Sequence, residues 1–145
     1  MSDTTITSAN SVLTFVVAGL FPAPVQMSGF ASDKAFAMES LQLAEVQMGV
    51  DGRMTAGYTP NPSVQDITLQ ADSPSKTFFN ALIAATKSTR EVFYISGSLV
   101  LPSTGEKYSM RRGILTKGKQ IPDAAKLLQP MDYQITWESV NQSLL

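Results

Sequence analysis

The chain has 145 residues, 43% of them apolar and 16% charged, with 11 Lys+Arg against 12 Asp+Glu and neither His nor Cys. That length fits one domain with a sizeable core, and the apolar content argues against disorder. Missing Cys excludes disulfides and thiolate chemistry, missing His removes the commonest general base and transition-metal ligand, and a net charge of −1 gives no basis for wrapping nucleic acid.

Alternating apolar residues predict a chain made mostly of strands. From Val12 to Phe21, Leu13, Phe15, Val17, Gly19 and Phe21 share one face, while Thr14, Val16 and Ala18 share the other. Both faces of this strand look partly covered, and Pro22 and Pro24 end it. Its ten residues are too few for a spanning helix, which needs about 20, and no Lys or Arg precedes it as a signal peptide requires. No membrane segment is expected. Residues 25–40 are rich in Ser, Gly and Ala and read as a long excursion. Leu41 to Met48 is a strand whose apolar parity shifts, which predicts a bulge near Ala44. Val50-Asp51-Gly52-Arg53 predicts a type I′ turn, and Met54 to Pro62 continues as the second half of a hairpin arm over about 46–62. Ile67, Leu69 and Ala71 mark a half-buried strand.

Ser73 as cap and Pro74 at the first position open a helix over about 74–88. Phe78, Phe79, Leu82, Ile83 and Thr86 form its apolar stripe, with Lys76, Asn80 and Lys87 facing away. A hairpin follows, with strands over Phe93–Leu101 and Lys107–Leu115 joined by Pro102-Ser103-Thr104-Gly105. Asp123 to Gln129 reads as one or two helical turns stopped by Pro130. Tyr133, Ile135 and Trp137 mark the last strand. The chain, 1–145, is expected to form a single, mainly β domain: an antiparallel sandwich or barrel-like body of six or seven strands with one flanking helix.

Candidate chemistry is thin. Gly113 to Gln120 nearly matches a phosphate-binding loop, but Gln120 stands where the magnesium-binding hydroxyl belongs and Pro122 blocks the helix that must follow. Ser73-Pro74-Ser75-Lys76 matches a Ser-x-x-Lys nucleophile motif, yet its partner motifs are absent and capping explains the serine. Carboxylates are scattered singly, so no acid–base pair stands out. Asp51-Gly52 lacks the other acids of a calcium loop. Tyr94, Tyr108 and Trp137 fall at sheet-face positions before they suggest base stacking. No enzyme activity and no cofactor is expected.

Charge layout carries more. Residues 1–72 hold seven acids and two bases, net −5; residues 73–145 hold five acids and nine bases, net +4. Lys107, Arg111, Arg112, Lys117 and Lys119 fall within thirteen residues. Either the halves neutralise each other inside the domain, or they meet between subunits as a head-to-tail contact requires. Alternation places Arg111 and Arg112 on opposite faces of their strand.

Four features together resemble the short, single-domain tail tube proteins of contractile-tailed bacteriophages. They are the early apolar strand with its long excursion, and the Met48-Gly-Val-Asp51-Gly52 turn of a hairpin arm. The Ile67-to-Pro74 strand entering an amphipathic helix is the third, and the Lys117-to-Ala125 ending with Tyr133-Gln-Ile-Thr-Trp137 is the fourth. The resemblance runs from about Val12 to Trp137 and extends in fold to type VI secretion and contractile bacteriocin tubes. It implies six subunits in a ring, their inner sheets joined into one barrel. Rings would stack into a tube around a tape-measure protein, inside a sheath, between baseplate and tail-terminator proteins. DNA would pass through the lumen of a virion assembled in the host cytoplasm. It also implies that the arm, with Val50, Asp51, Gly52, Met54 and Tyr58, reaches the next ring. The five clustered bases would then meet first-half acids on a neighbouring subunit. The alternatives are a secretion or bacteriocin tube, and a small β-barrel that binds an apolar ligand.

Overall fold

The computed structural model describes residues 11–30 and 36–144. In chain order its elements are β1 (Val12–Val17), β2 (Phe21–Gln26), β3 (Phe36–Met38), β4 (Ala44–Met48), β5 (Met54–Tyr58), β6 (Ser63–Leu69), α1 (Lys76–Thr89), β7 (Ile95–Leu101), β8 (Glu106–Gly118) and β9 (Met131–Leu144). Seven strands form one antiparallel sheet in the order β2-β1-β7-β8-β9-β6-β3, and β4 and β5 form a separate two-stranded sheet. The fold is mainly β with one helix, as the alternation predicts.

The large sheet packs rings across its apolar face. Phe15 on β1 and Trp137 on β9 lie three strands apart, yet their ring centroids are 5.8 Å apart because the indole lies over Gly113 and reaches Gly97, where it meets Phe15. α1 fills the remaining space: Phe78 and Phe79 both meet Phe15, and Phe79 stacks on Tyr133 at 4.2 Å. The indole N–H of Trp137 donates to the buried Gln65 side-chain oxygen at 2.9 Å, which satisfies both polar groups. Gly113 lies flat against this indole; a Cβ there would sit 2.4 Å from it.

Residues 27–30 cross from β1 to β6 past the start of α1. Met27 N–H donates to Leu13 C=O, Gln70 N–H donates to Gly29 C=O, and Phe30 bridges to Leu69. Between them Ser73 Oγ donates to Ser28 C=O at 2.6 Å, and Ser28 N–H donates to Ser75 Oγ at 2.7 Å. Ser73 is therefore a crossover clamp. The helix begins at Lys76 with Ser75 as its N-cap residue, and no side chain caps it. The helix expected over about 74–88 is thus present, with Ser75 rather than Ser73 as its cap residue; Ser73 Oγ accepts from Ser75 N–H just before it.

Other expectations also change. The first strand stops at Val17 and turns at Gly19 into β2, so Pro22 and Pro24 lie inside a strand. Proline is tolerated there because β2 is an edge. The expected excursion over 25–40 holds the end of β2 and all of β3, with 31–35 outside the described residues. No bulge occurs at Ala44, because β4 only begins there and its ladder with β5 is continuous. Asp123 to Gln129 forms no helix but a tight loop with an Ala124–Leu128 bridge. Pro122 and Pro130 bound a stretch too short for a stable isolated helix, and Leu127 and Leu128 stay largely exposed, lining an open surface depression with Gln70, Ala71 and Asp72.

Candidate functional site

The arm stands apart from the domain. Every residue from β4 through β5 is exposed, and among the described residues the strands of the arm pair only with each other. Its register places Ala44 opposite Tyr58, Val46 opposite Ala56 and Met48 opposite Met54 on one face. The other face holds Glu45, Gln47, Thr55 and Gly57. Strand alternation thus makes a two-residue-wide apolar strip whose Tyr58 is 79% exposed and Met48 67% exposed. At the tip, Gly52 N–H donates to Gly49 C=O, Gly52 adopts φ +84°, and Arg53 N–H donates to Asp51 Oδ1. Only Gly52 is left-handed, so the tip is a turn followed by a glycine bulge. A type I′ turn needs two residues with positive φ and is not formed. Val50 projects fully at this tip.

Of the residues expected in the arm site, Met54 and Tyr58 share the apolar strip, while Val50, Asp51 and Gly52 form the tip. The sequence reading missed Val46 and Met48 as members of the strip. Even-numbered alternation through 44–48 and 54–58 was the signal that finds them.

The basic cluster divides. Arg112 Nε lies 3.3 Å from Glu138 Oε2, and its guanidinium sits 4.5 Å over the Tyr94 ring. Lys119 pairs with Asp123 at 2.6 Å. Lys107, Arg111 and Lys117 form no salt bridge among the described residues, and neither do Glu39, Glu45, Asp51, Asp66 and Asp72 from the acidic half. The two halves therefore do not neutralise each other through contacts between described residues; Asp3, Asp33 and Lys34 lie outside these. Arg112 has φ +49°, and β8 carries an extra residue opposite β7 at this point. Met110 and Gly113 both face inward, so Arg111 and Arg112 both lie outward between them. The bulge overturns the expectation that they point to opposite faces.

Outward positions on β1 and β7 are small and uncharged: Val12, Thr14 and Val16 lie beside Val100, Ser98 and Ser96. Near β8's start, Tyr108 Oη donates to Glu106 Oε2 at 2.8 Å, and Gln142 Nε2 also donates to that oxygen. These bonds, that from Tyr108 foremost, hold the Glu106 carboxyl below its ordinary range, and the same bond raises Tyr108. Burial raises Tyr133.

The depressions found among the described residues are open to the surface. One of about 730 Å³ is lined by the arm and its base, and another of about 300 Å³ lies on the outward face at Arg112 and Tyr94. Among the described residues no cluster of three acids is placed to hold a metal, and no helix is long and apolar enough to cross a membrane.

The fold is shared with chains of contractile injection particles. A chain of the anti-feeding prophage baseplate superposes with a TM-score of 0.60 at 8% identity, covering 99% of this chain and 97% of that one. A chain of the anti-feeding prophage tube-terminating cap gives 0.60 at 12% identity, covering 100% and 95%. A chain of the sheath-tube complex of the extracellular contractile injection system PVC gives 0.56 at 11% identity, covering 97% and 93%. By sequence, the family described as tail fiber protein gp32 matches residues 4–141, and the chain belongs to that family. Comparison with curated proteins gives no match.

Proposed function

We propose that this protein is the structural subunit of a contractile tail's tube. Six copies form a ring, rings stack, and DNA passes through the lumen without reaction. The observation that carries this reading is the detached arm: an apolar strip with no strand partner among the described residues outside the arm, on a fold shared with chains of contractile particles. An exposed strip of this kind calls for a partner surface, and stacking copies supply one at every level.

The outward face of β1 and β7 supports the lumen. Small neutral side chains offer few phosphate contacts, so a duplex would not stick. On this reading the sheath, tape-measure, baseplate and tail-terminator proteins are partners, and the particle is a virion assembled in the host cytoplasm. A tube of a secretion or bacteriocin particle would share all these surfaces and differ in its cargo. The apolar-ligand alternative is disfavoured because Phe15, Phe78, Phe79, Tyr133 and Trp137 fill the space a ligand would need. Sedimentation and negative-stain microscopy across a concentration series test the proposal. Rings or tubes are expected; a monomer at every concentration, even with sheath and tape-measure protein present, contradicts it.

A further inference from the structure

Two hydrogen bonds set the phase of the arm's ladder. Gly49 N–H donates to Arg53 C=O at 2.8 Å, and Thr59 N–H donates to Leu43 C=O at 3.1 Å. With the observed register, Gln47–Thr55 and Glu45–Gly57 are then the hydrogen-bonded pairs, and Ala44–Tyr58, Val46–Ala56 and Met48–Met54 are not. The backbone N–H and C=O groups of those last six residues point outward, to one side on β4 and to the other on β5. Neither strand contains proline, and neither outer edge pairs with another described strand. The same residues carry the apolar strip.

The large sheet treats its β2 edge differently. Its ladder with β1 is irregular between Val25 and Phe21, and Pro22 and Pro24 within that stretch carry no N–H, so this edge offers a neighbouring strand fewer donors for pairing. One long edge is blunted while a projecting ribbon keeps two bare ones.

We propose that the arm joins a second copy of this chain by β-strand addition, its β4 or β5 edge pairing backbone to backbone with an unblunted edge of that copy. Main-chain bonds would hold the contact, and the apolar strip would lie against the copy's surface. Charge complementarity identifies the occupant. Glu39, Glu45 and Asp51, on the arm and its base, have no ionic partner among the described residues, and neither have Lys107, Arg111 and Lys117. A second copy brings the bases these acids lack. The inference rests on the tube reading and adds the mode of contact.

Proline substitution separates backbone pairing from side-chain docking. Val46→Pro and Ala56→Pro each remove one outward donor and no bond of the hairpin itself. Val46→Thr and Ala56→Ser keep the donor, and Gln47→Pro breaks the hairpin's own ladder as a control for loss of the arm. At least one outward proline is expected to raise the concentration needed for assembly tenfold or more, with thermal melting unchanged and the donor-keeping variants near wild type. In assembled wild type, hydrogen exchange should show protection at the outward amides of the pairing strand. Outward-proline variants, single and double, that assemble like wild type overturn strand addition and leave the tube reading standing. A wild-type chain that forms no assembly overturns both.

Discussion

The Met48→Ser, Met54→Ser double variant separates folding from assembly. The two side chains face each other across the arm, 67% and 58% exposed, and neither belongs to the core cluster. Full burial of such a side chain contributes roughly 1.5–3 kcal/mol. Scaled by the exposed fraction, docking would gain roughly 1–2 kcal/mol from each, or roughly 2–4 kcal/mol from the pair. At tenfold per ~1.4 kcal/mol, the double variant should weaken each docked arm by roughly 30- to 700-fold. Folding stability should change by no more than ~0.5 kcal/mol, as for other exposed positions. Light scattering against concentration measures the first effect and thermal melting the second. Unchanged assembly would refute the docking role. A drop of several degrees in melting temperature would show that the strip belongs to the chain's own core.

Three further outcomes follow from the domain. Gly113→Ala places a methyl 2.4 Å from the Trp137 ring, and should cost about 1–3 kcal/mol in a denaturant melt because the indole is wedged between strands. Arg90→Gly should stabilise by about 0.5–1 kcal/mol, since the residue after α1 is left-handed at φ +59° and glycine adopts that backbone without a Cβ clash. The Tyr108 bond lowers the folded-state value of Glu106, so its contribution is present above the ordinary carboxylate range and lost as pH falls through the lowered value. The melting difference between wild type and Tyr108→Phe should therefore shrink in acid, and a constant difference would contradict the coupling.

Periodicity made the strongly patterned elements legible. The Phe78–Phe79–Leu82 stripe gave α1, and simple alternation gave β1, β7, β8 and the 133–138 part of β9. The turn at Asp51-Gly52 located the arm. What escaped depends on tertiary context. Pro22 and Pro24 read as stops because a proline is acceptable in a strand only at an edge, and a sequence does not state which strand is the edge. The bulge at Arg111–Arg112 breaks parity where no glycine marks the left-handed residue; Arg112 is instead held between Glu138 and Tyr94. Ser73 looked like a cap because capping is the local use of a serine there, while its bond to Ser28 spans 45 residues. The apolar strip was half visible: Met54 and Tyr58 stood out, and the even-numbered alternation that also carries Val46 and Met48 becomes one strip through the ladder's register, which sets them opposite Ala56 and Met54.

The position of the arm in an assembled particle tests the account most directly. Cryo-electron microscopy of assemblies formed by the purified chain should show six-fold rings stacked into a hollow tube. In them, Val46, Met48, Met54 and Tyr58 of each subunit should lie buried against a second copy. A map in which the arm folds back on its own domain, or stays in solvent within an ordered particle, would contradict it.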